Sequence, residues 1–243
     1  MSALAIIRRL YFSLCIAAAP GALAQVATNF MFNNVNMAVP SDDPSGAQNS
    51  QTISGVAGSI ADLQVTLSIA GTGEGAFNGN LYVELLNGAG GFAVLLNRPG
   101  LSSSNPFGYG DNGLDVTFSD AAANDIHFYQ SVTYNLNLSG QLTGTWQPDG
   151  ENISPLSEPS AFDNALQNQT APLSSFNGDS PDDNWTLYVA DLAQGSSEQL
   201  DSWSLDFMTV PEPNETSLTA AGLILWIWIR HRQKSPKKRH AFS

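Results

Sequence analysis

The chain has 243 residues, 42% hydrophobic and only 13% charged, with a formal net charge of −13. Between Gln25 and Pro213 there are twenty-one carboxylates and one cation, Arg98, a formal −20; this excludes nucleic acid as a partner and argues against anionic membrane surfaces, because phosphate binding needs clustered Lys and Arg. The only cysteine, Cys15, lies near the start, so the chain beyond it has no disulfide, cysteine nucleophile or cysteine metal ligand.

Residues 1–24 read as a secretory signal helix. Arg8 and Arg9 precede a short apolar stretch at 10–19, and Ala22-Leu23-Ala24 forms a small-x-small cleavage site between Ala24 and Gln25. A first strand is expected over 30–35, a turn at 39–46 and a short edge strand over 51–54. In 60–69, Leu63, Val65, Leu67 and Ile69 alternate with Asp62, Gln64, Thr66 and Ser68, the pattern of a half-buried strand. The glycine-rich 71–80 lacks the ending of a phosphate loop. Strands at 81–86 and 92–96, joined by Asn87-Gly88-Ala89-Gly90-Gly91, read as a hairpin.

A long loop at 98–113, a strand at 114–118 and one helical turn at 120–125 come next. Alternating Val132, Tyr134, Leu136 and Leu138 predict a further strand. Residues 140–179 read as mostly loop, tethered by Trp146, Phe162 and Phe176. Finally, Trp185, Leu187 and Val189, then Trp203, Leu205 and Phe207, occur at alternate positions on either side of the polar link 193–198. These two runs predict an antiparallel strand pair that lays both tryptophans into a core. The whole reads as all-β.

At the far end, Pro211-Glu212-Pro213 is followed by an apolar stretch, 218–229, and a basic tail containing Arg230, Arg232, Lys234, Lys237, Lys238 and Arg239. An apolar helix before a basic tail orients the tail toward the cytoplasm. The three features in this order resemble the PEP-CTERM sorting signal of Gram-negative bacteria, which implies a membrane helix at 218–229, an exosortase partner, and passage through an inner-membrane-anchored stage to the cell surface or extracellular matrix. Thr216, Ser217 and local bilayer thinning would extend the short span. Three segments follow: a signal peptide at 1–24, a β-sandwich at 25–209 and a sorting signal at 210–243.

Within the middle segment, a second resemblance rests on stretches in a fixed order. They are Val39-Pro40-Ser41-Asp42, Ile53-Ser54-Gly55 with 60–69, Gly79-Asn80-Leu81-Tyr82-Val83-Glu84-Leu85, Phe118-Ser119-Asp120-Ala121-Ala122, Leu173-Ser174-Ser175-Phe176-Asn177-Gly178, and 185–191 with 200–205. Together they resemble the P domain (Homo B domain) that follows the catalytic domain of subtilisin-like proprotein convertases. The resemblance implies a jelly-roll β-sandwich of about eight or nine antiparallel strands. Asn80 stands where the family often has Asp, Asn184 where a glycine usually precedes the tryptophan, and the loops 97–113 and 140–172 are enlarged. Nothing here resembles the subtilase catalytic domain, so protease activity is not implied.

Candidate chemistry is sparse. His127 is the lone histidine between the two end segments and reads as a surface or packing residue. Zinc sites of the several-His or several-Cys kind lack their ligands. Calcium suits acidic loops better, and Asp42, Asp43, Asp182, Asp183, Asp191 and Asp201 are its candidate ligands, each of which could equally cap a turn. Asp111, Asp115, Asp120 and Asp125 form a weaker group. Aromatic residues in the enlarged loops, Phe107, Tyr109 and Trp146, are candidate contacts for a partner. The expected function is therefore that of an exported, non-catalytic binding module for a protein or polysaccharide; the alternative is an accessory P domain serving a separate subtilisin-like endopeptidase.

Overall fold

A computed structural model describes residues 24–211, 223 and 226–230. Side-chain parity sorts the strands into two sheets. In β4 (Ser59–Gly71), Leu63, Val65, Leu67 and Ile69 are at most 1% exposed, while the alternate residues are half-buried on the other face. β4 is the partner of β11 (Glu198–Val210), another thirteen-residue strand, and the pair forms the spine of the larger sheet. Outside β11 lie β1 (Val26–Phe32) and β2 (Met37–Val39). Beyond β4 lie β7 (Gly113–Phe118), β9 (Leu142–Trp146) and β8 (Asn135–Leu136), giving the order β1-β11-β4-β7-β9-β8 with β2 also on β11. The second sheet runs β3-β10-β5-β6, with β3 (Ala47–Thr52), β5 (Leu81–Leu86), β6 (Phe92–Asn97) and β10 (Asn184–Asp191). Neither sheet closes into a barrel.

The tryptophan-bearing strands do not pair with each other, contrary to the expectation. β10 pairs with β3 and β5, β11 with β1, β2 and β4, so the two face one another across the core. The link at 192–197 crosses from one sheet to the other. It is held by Leu192 N–H to the Asn80 carbonyl, Ser197 N–H to Gly75 and Thr72 N–H to Ser197. Parity cannot distinguish a hairpin from such an arch, because both put the two apolar rows on buried faces.

Both indoles are buried. Trp185 packs between Phe176 and Phe207, at ring centroid distances of 5.0 and 5.3 Å, and Trp203 lies 4.6 Å from Phe32. Trp185 Nε1 donates to the Pro181 carbonyl and Trp203 Nε1 to Asn49 Oδ1, so neither polar tip is stranded. At roughly 150–250 Å² each, such burial contributes about 4–6 kcal/mol per ring before entropy.

Other expectations change. Instead of a strand over 132–138 there is only the two-residue β8, and Val132, Leu136 and Leu138 are exposed; their alternation has no facing layer to cover it. No helical turn forms at 120–125. Asp120 instead accepts from the Leu173 and Ser174 N–H groups, and the 3₁₀ segment Ile126–Ser131 follows. β9, in a stretch expected to be loop, runs parallel to β7, so the strands among the described residues number eleven and are not all antiparallel. Trp146, Phe162 and Phe176 are buried as tethers.

The membrane reading is overturned. Among the described residues no helix is long and apolar enough to cross a membrane. Residues 218–229 would rise only about 18 Å as a helix, against a hydrocarbon core of about 30 Å. The inner-membrane anchor, and the route to the cell surface built on it, are therefore withdrawn. Residues 1–23, 212–222, 224, 225 and 231–243 lie outside the described residues, and with them the signal segment, Glu212 and Pro213, most of 218–229 and the basic tail; Pro211 directly follows β11.

Candidate functional site

The two enlarged loops meet beside β6. Asp149 N–H donates to the Leu95 carbonyl and Gly150 N–H to Val94, so 149–150 runs along the edge of that strand. Gly150, at φ +66, sits between two acids, a backbone conformation that side-chain-bearing residues rarely adopt. The same loop is fastened from the other side by Asn97, whose N–H donates to Asp149 Oδ2 (3.0 Å) and whose amide donates to the Glu151 and Ile153 carbonyls (both 3.1 Å).

Against this edge lies the segment Ile126–Ser131. Asp125 caps its start by accepting from His127 N–H at 2.8 Å, and Ile126 N–H reaches the Gln147 carbonyl. The imidazole of His127 is thereby delivered to the acids. Its Nδ1 lies 3.1 Å from Asp149 Oδ2 and 3.7 Å from Glu151 Oε2, and its Nε2 is 3.3 Å from the Leu101 carbonyl. Phe162 lies parallel to the ring and Phe128 edge-on to it. His127 is 1% exposed; Asp149, Glu151 and Asn97 are fully buried.

The electrostatics of this cluster are unbalanced. Arg98, the neighbouring cation, donates to the Gly79 and Pro155 carbonyls rather than to an acid. Burial opposes a charge on His127, but Asp149, Glu151 and Asp125 outweigh it and lift the imidazole to about 9. Burial, reinforced by Asp149, pushes the Glu151 carboxyl up to about 8 and that of Asp125 to about 7. Four buried oxygens have no hydrogen-bond partner: Asp149 Oδ1, Asn97 Oδ1 and both carboxylate oxygens of Glu151. Each such group normally costs about 1–3 kcal/mol, more when charged. The ring nitrogens of His127 meet the Asp149 carboxylate and the Leu101 carbonyl, and neither has a serine or threonine hydroxyl as its hydrogen-bond partner.

Beside the cluster, His127 also forms part of the wall of an open depression of about 500 Å³. Leu101, Tyr109, Phe128 and Phe162 line it, with Ser102 and Asp163 among its polar groups. Asp163 accepts from Ser103 N–H at 2.8 Å, tying the 3₁₀ segment Pro159–Gln167 to the loop after β6. Phe107, on the same loop, is 73% exposed; Tyr109 is half-buried against Tyr129, and Trp146 is buried.

The acids singled out from sequence are dispersed. Asp182 accepts from Gly55 and Val56 N–H, and Asp183 from Ala89 and Asn184 N–H. Asp43 accepts from Ser45 N–H, Asp42 from the Gln194 amide and Asp201 from the Gln199 amide. Asp183 and Asp191 flank opposite ends of β10, while Asp43 N–H meets the Asp191 carbonyl at 3.0 Å. Asp191 accepts from Ala193 N–H and the Ser196 hydroxyl. Beside it Glu198, 2% exposed, is lifted to about 7 by burial and by Asp191, and its Oε2 has no partner. Of the weaker group, Asp111 accepts from the Tyr129 hydroxyl and the Gln130 amide, Asp115 is exposed on β7, Asp120 caps 173–174 and Asp125 joins the histidine cluster.

Asp149, Glu151, Asn97 and Glu198 escaped sequence reasoning. One local signal was present: Asp125-Ile126-His127 and Asp149-Gly150-Glu151 each place two ionisable residues one apart, in a region with a single cation.

No family model and no curated protein matches this chain. Among solved structures, it is similar to the Aeromonas sobria serine protease, both in complex with the chaperone and in a structure of the protease itself. Identity is 16% in each case, with TM-scores of 0.41 and 0.40, covering 77% and 76% of this chain. The chain spans about a quarter, 27%, of the length of those proteases.

Proposed function

We propose that the chain is a non-catalytic β-sandwich module whose loops, laid over β6, recognise a partner protein or polysaccharide. The depression at 100–109, 126–131 and 159–163 supports this reading: ring faces stand beside hydroxyls, an amide and a carboxylate, the chemistry that grips a hydroxylated or peptide ligand. His127 serves as its wall, held on both ring nitrogens by groups that do not react. On this reading the two sheets are the halves of a jelly roll of P-domain type. The stretches that resemble that domain fall mainly on β2, β4, β5, β7, β10 and β11, and the enlarged loops fall around the depression, while Asn80 and Asn184 lie just before β5 and at the start of β10. That distribution also favours a second reading, an accessory domain for a separate serine peptidase.

Titration of the protein with oligosaccharides, peptides and a subtilisin-type peptidase, followed by calorimetry, tests both. Binding that weakens about tenfold (about 1.4 kcal/mol) in Phe128→Ala or Asp163→Asn supports the loop site. Binding to the peptidase alone selects the accessory reading. Turnover of any ligand, abolished in His127→Gln, would replace both with an enzyme.

A further inference from the structure

We propose that His127, Asp149 and Glu151 form a buried site for one divalent transition-metal ion, of the zinc or manganese class, which clamps the two enlarged loops to the edge of β6. Donor atoms of the three side chains lie within 4.8 Å of one another. Ligands around a single ion at about 2.0–2.2 Å stand roughly 3–4.4 Å apart, so small side-chain adjustments suffice.

An acidic cluster alone would not carry this. The independent observation is the set of buried oxygens: Asp149 Oδ1 and both oxygens of Glu151 are wholly buried, on fully buried residues, and no backbone N–H, amide or hydroxyl donates to them; they face only the other carboxyl and His127 Nδ1, 3.7 Å from Glu151 Oε2. Asn97 adds a bare Oδ1 in the same network. Its assignment as oxygen is secure in chemical terms, because the other amide atom donates to two carbonyls. The histidine is arranged as a ligand. With Nε2–H donating to the Leu101 carbonyl, the Nδ1 lone pair faces Asp149 and Glu151, the arrangement by which metal-bound imidazoles are oriented.

Charge is compatible with this. Three acids and one imidazole are buried together, and the neighbouring guanidinium of Arg98 is turned to carbonyls. A dication would balance the carboxylates of Asp149 and Glu151 beside a neutral His127. One imidazole with carboxylates suits zinc or manganese better than calcium, which takes oxygen ligands throughout.

The test uses the full chain, stripped with a chelator and dialysed, then titrated separately with Zn²⁺, Mn²⁺ and Ca²⁺. The expected result is one equivalent of Zn²⁺ or Mn²⁺ bound, with a raised melting temperature. Affinity should fall in Glu151→Gln by more than the ~10–100-fold that loss of an outer partner costs. If that variant does not fold, Mn²⁺ broadening of the His127 ring signals decides the matter, measured in a chain carrying His231→Gln and His240→Gln so that the remaining ring signals are those of His127. Three outcomes overturn the proposal: no stabilisation by Zn²⁺ or Mn²⁺, undiminished binding by folded Glu151→Gln, or stabilisation by Ca²⁺ exceeding both. Absence of His127 broadening also overturns it. Ligand titrations repeated in chelator keep this result separate from the recognition reading.

Discussion

Leu63, Val65, Leu67 and Ile69 of β4 and the trio His127, Asp149 and Glu151 are equally hidden from water, yet for opposite reasons. The first group gains by leaving water and needs only a matching apolar face. The second loses hydration on burial and recovers it through directed partners, several of which are missing. The framework is therefore tolerant of which apolar neighbour it meets, while the loop region depends on individual atoms.

The largest effect should come from the framework. Trp185→Ala removes the ring wedged between Phe176 and Phe207 and is expected to cost about 3–5 kcal/mol in denaturant unfolding. A loss below ~1 kcal/mol would mean that the sheets do not depend on this contact. Next comes Asp149→Ala, which strips His127 and the Asn97 N–H of their carboxylate and should cost on the order of 3 kcal/mol. Here Asp149→Asn should restore part of the loss, whereas no polar replacement rescues Trp185; equal behaviour of the two sites would erase the contrast.

A third experiment probes a buried acid of the framework. Glu198 has its folded-state value raised to about 7 from about 4.5, facing Asp191, the Ser196 hydroxyl and Phe77 N–H. Between those values the folded protein holds a proton that the unfolded chain releases, so stability falls as pH rises from about 4.5 to about 7 and is then constant with respect to this group. The loss is at most about 3 kcal/mol. Glu198→Gln should flatten that slope in melting curves taken across the window. The smallest effect is expected at Phe107, 73% exposed: Phe107→Ala should change stability by no more than about 0.5 kcal/mol, leaving any change to ligand affinity.

Much of the framework was legible in residue order. β4, β5, β6 and β7 occupy nearly the spans that alternation and turn residues indicate, because a half-buried strand writes its two faces into alternate positions. The run at Val132, Tyr134, Leu136 and Leu138 misled because alternation reports what a strand would bury, and no layer lies over it. β9 was hidden for the converse reason: Leu-Thr-Gly-Thr-Trp has only two buried side chains, and its place is set by backbone pairing to β7. Asp43, Asp191 and Asp201 are recognisable as local acceptors, meeting Ser45 N–H, Ala193 N–H and the Gln199 amide, whereas the Gly55, Val56 and Ala89 N–H groups that meet Asp182 and Asp183 come from distant loops.

By itself the sequence determined the two buried tryptophan rows and the acidic and cysteine-free composition of the middle segment. These follow from local side-chain chemistry and its period along the chain. Only the tertiary structure decided that β10 and β11 face each other from separate sheets, and that a histidine and two acids, some twenty residues apart, converge without water. Such convergence depends on how the loops are fastened to β6, and no periodicity in the chain encodes that distance.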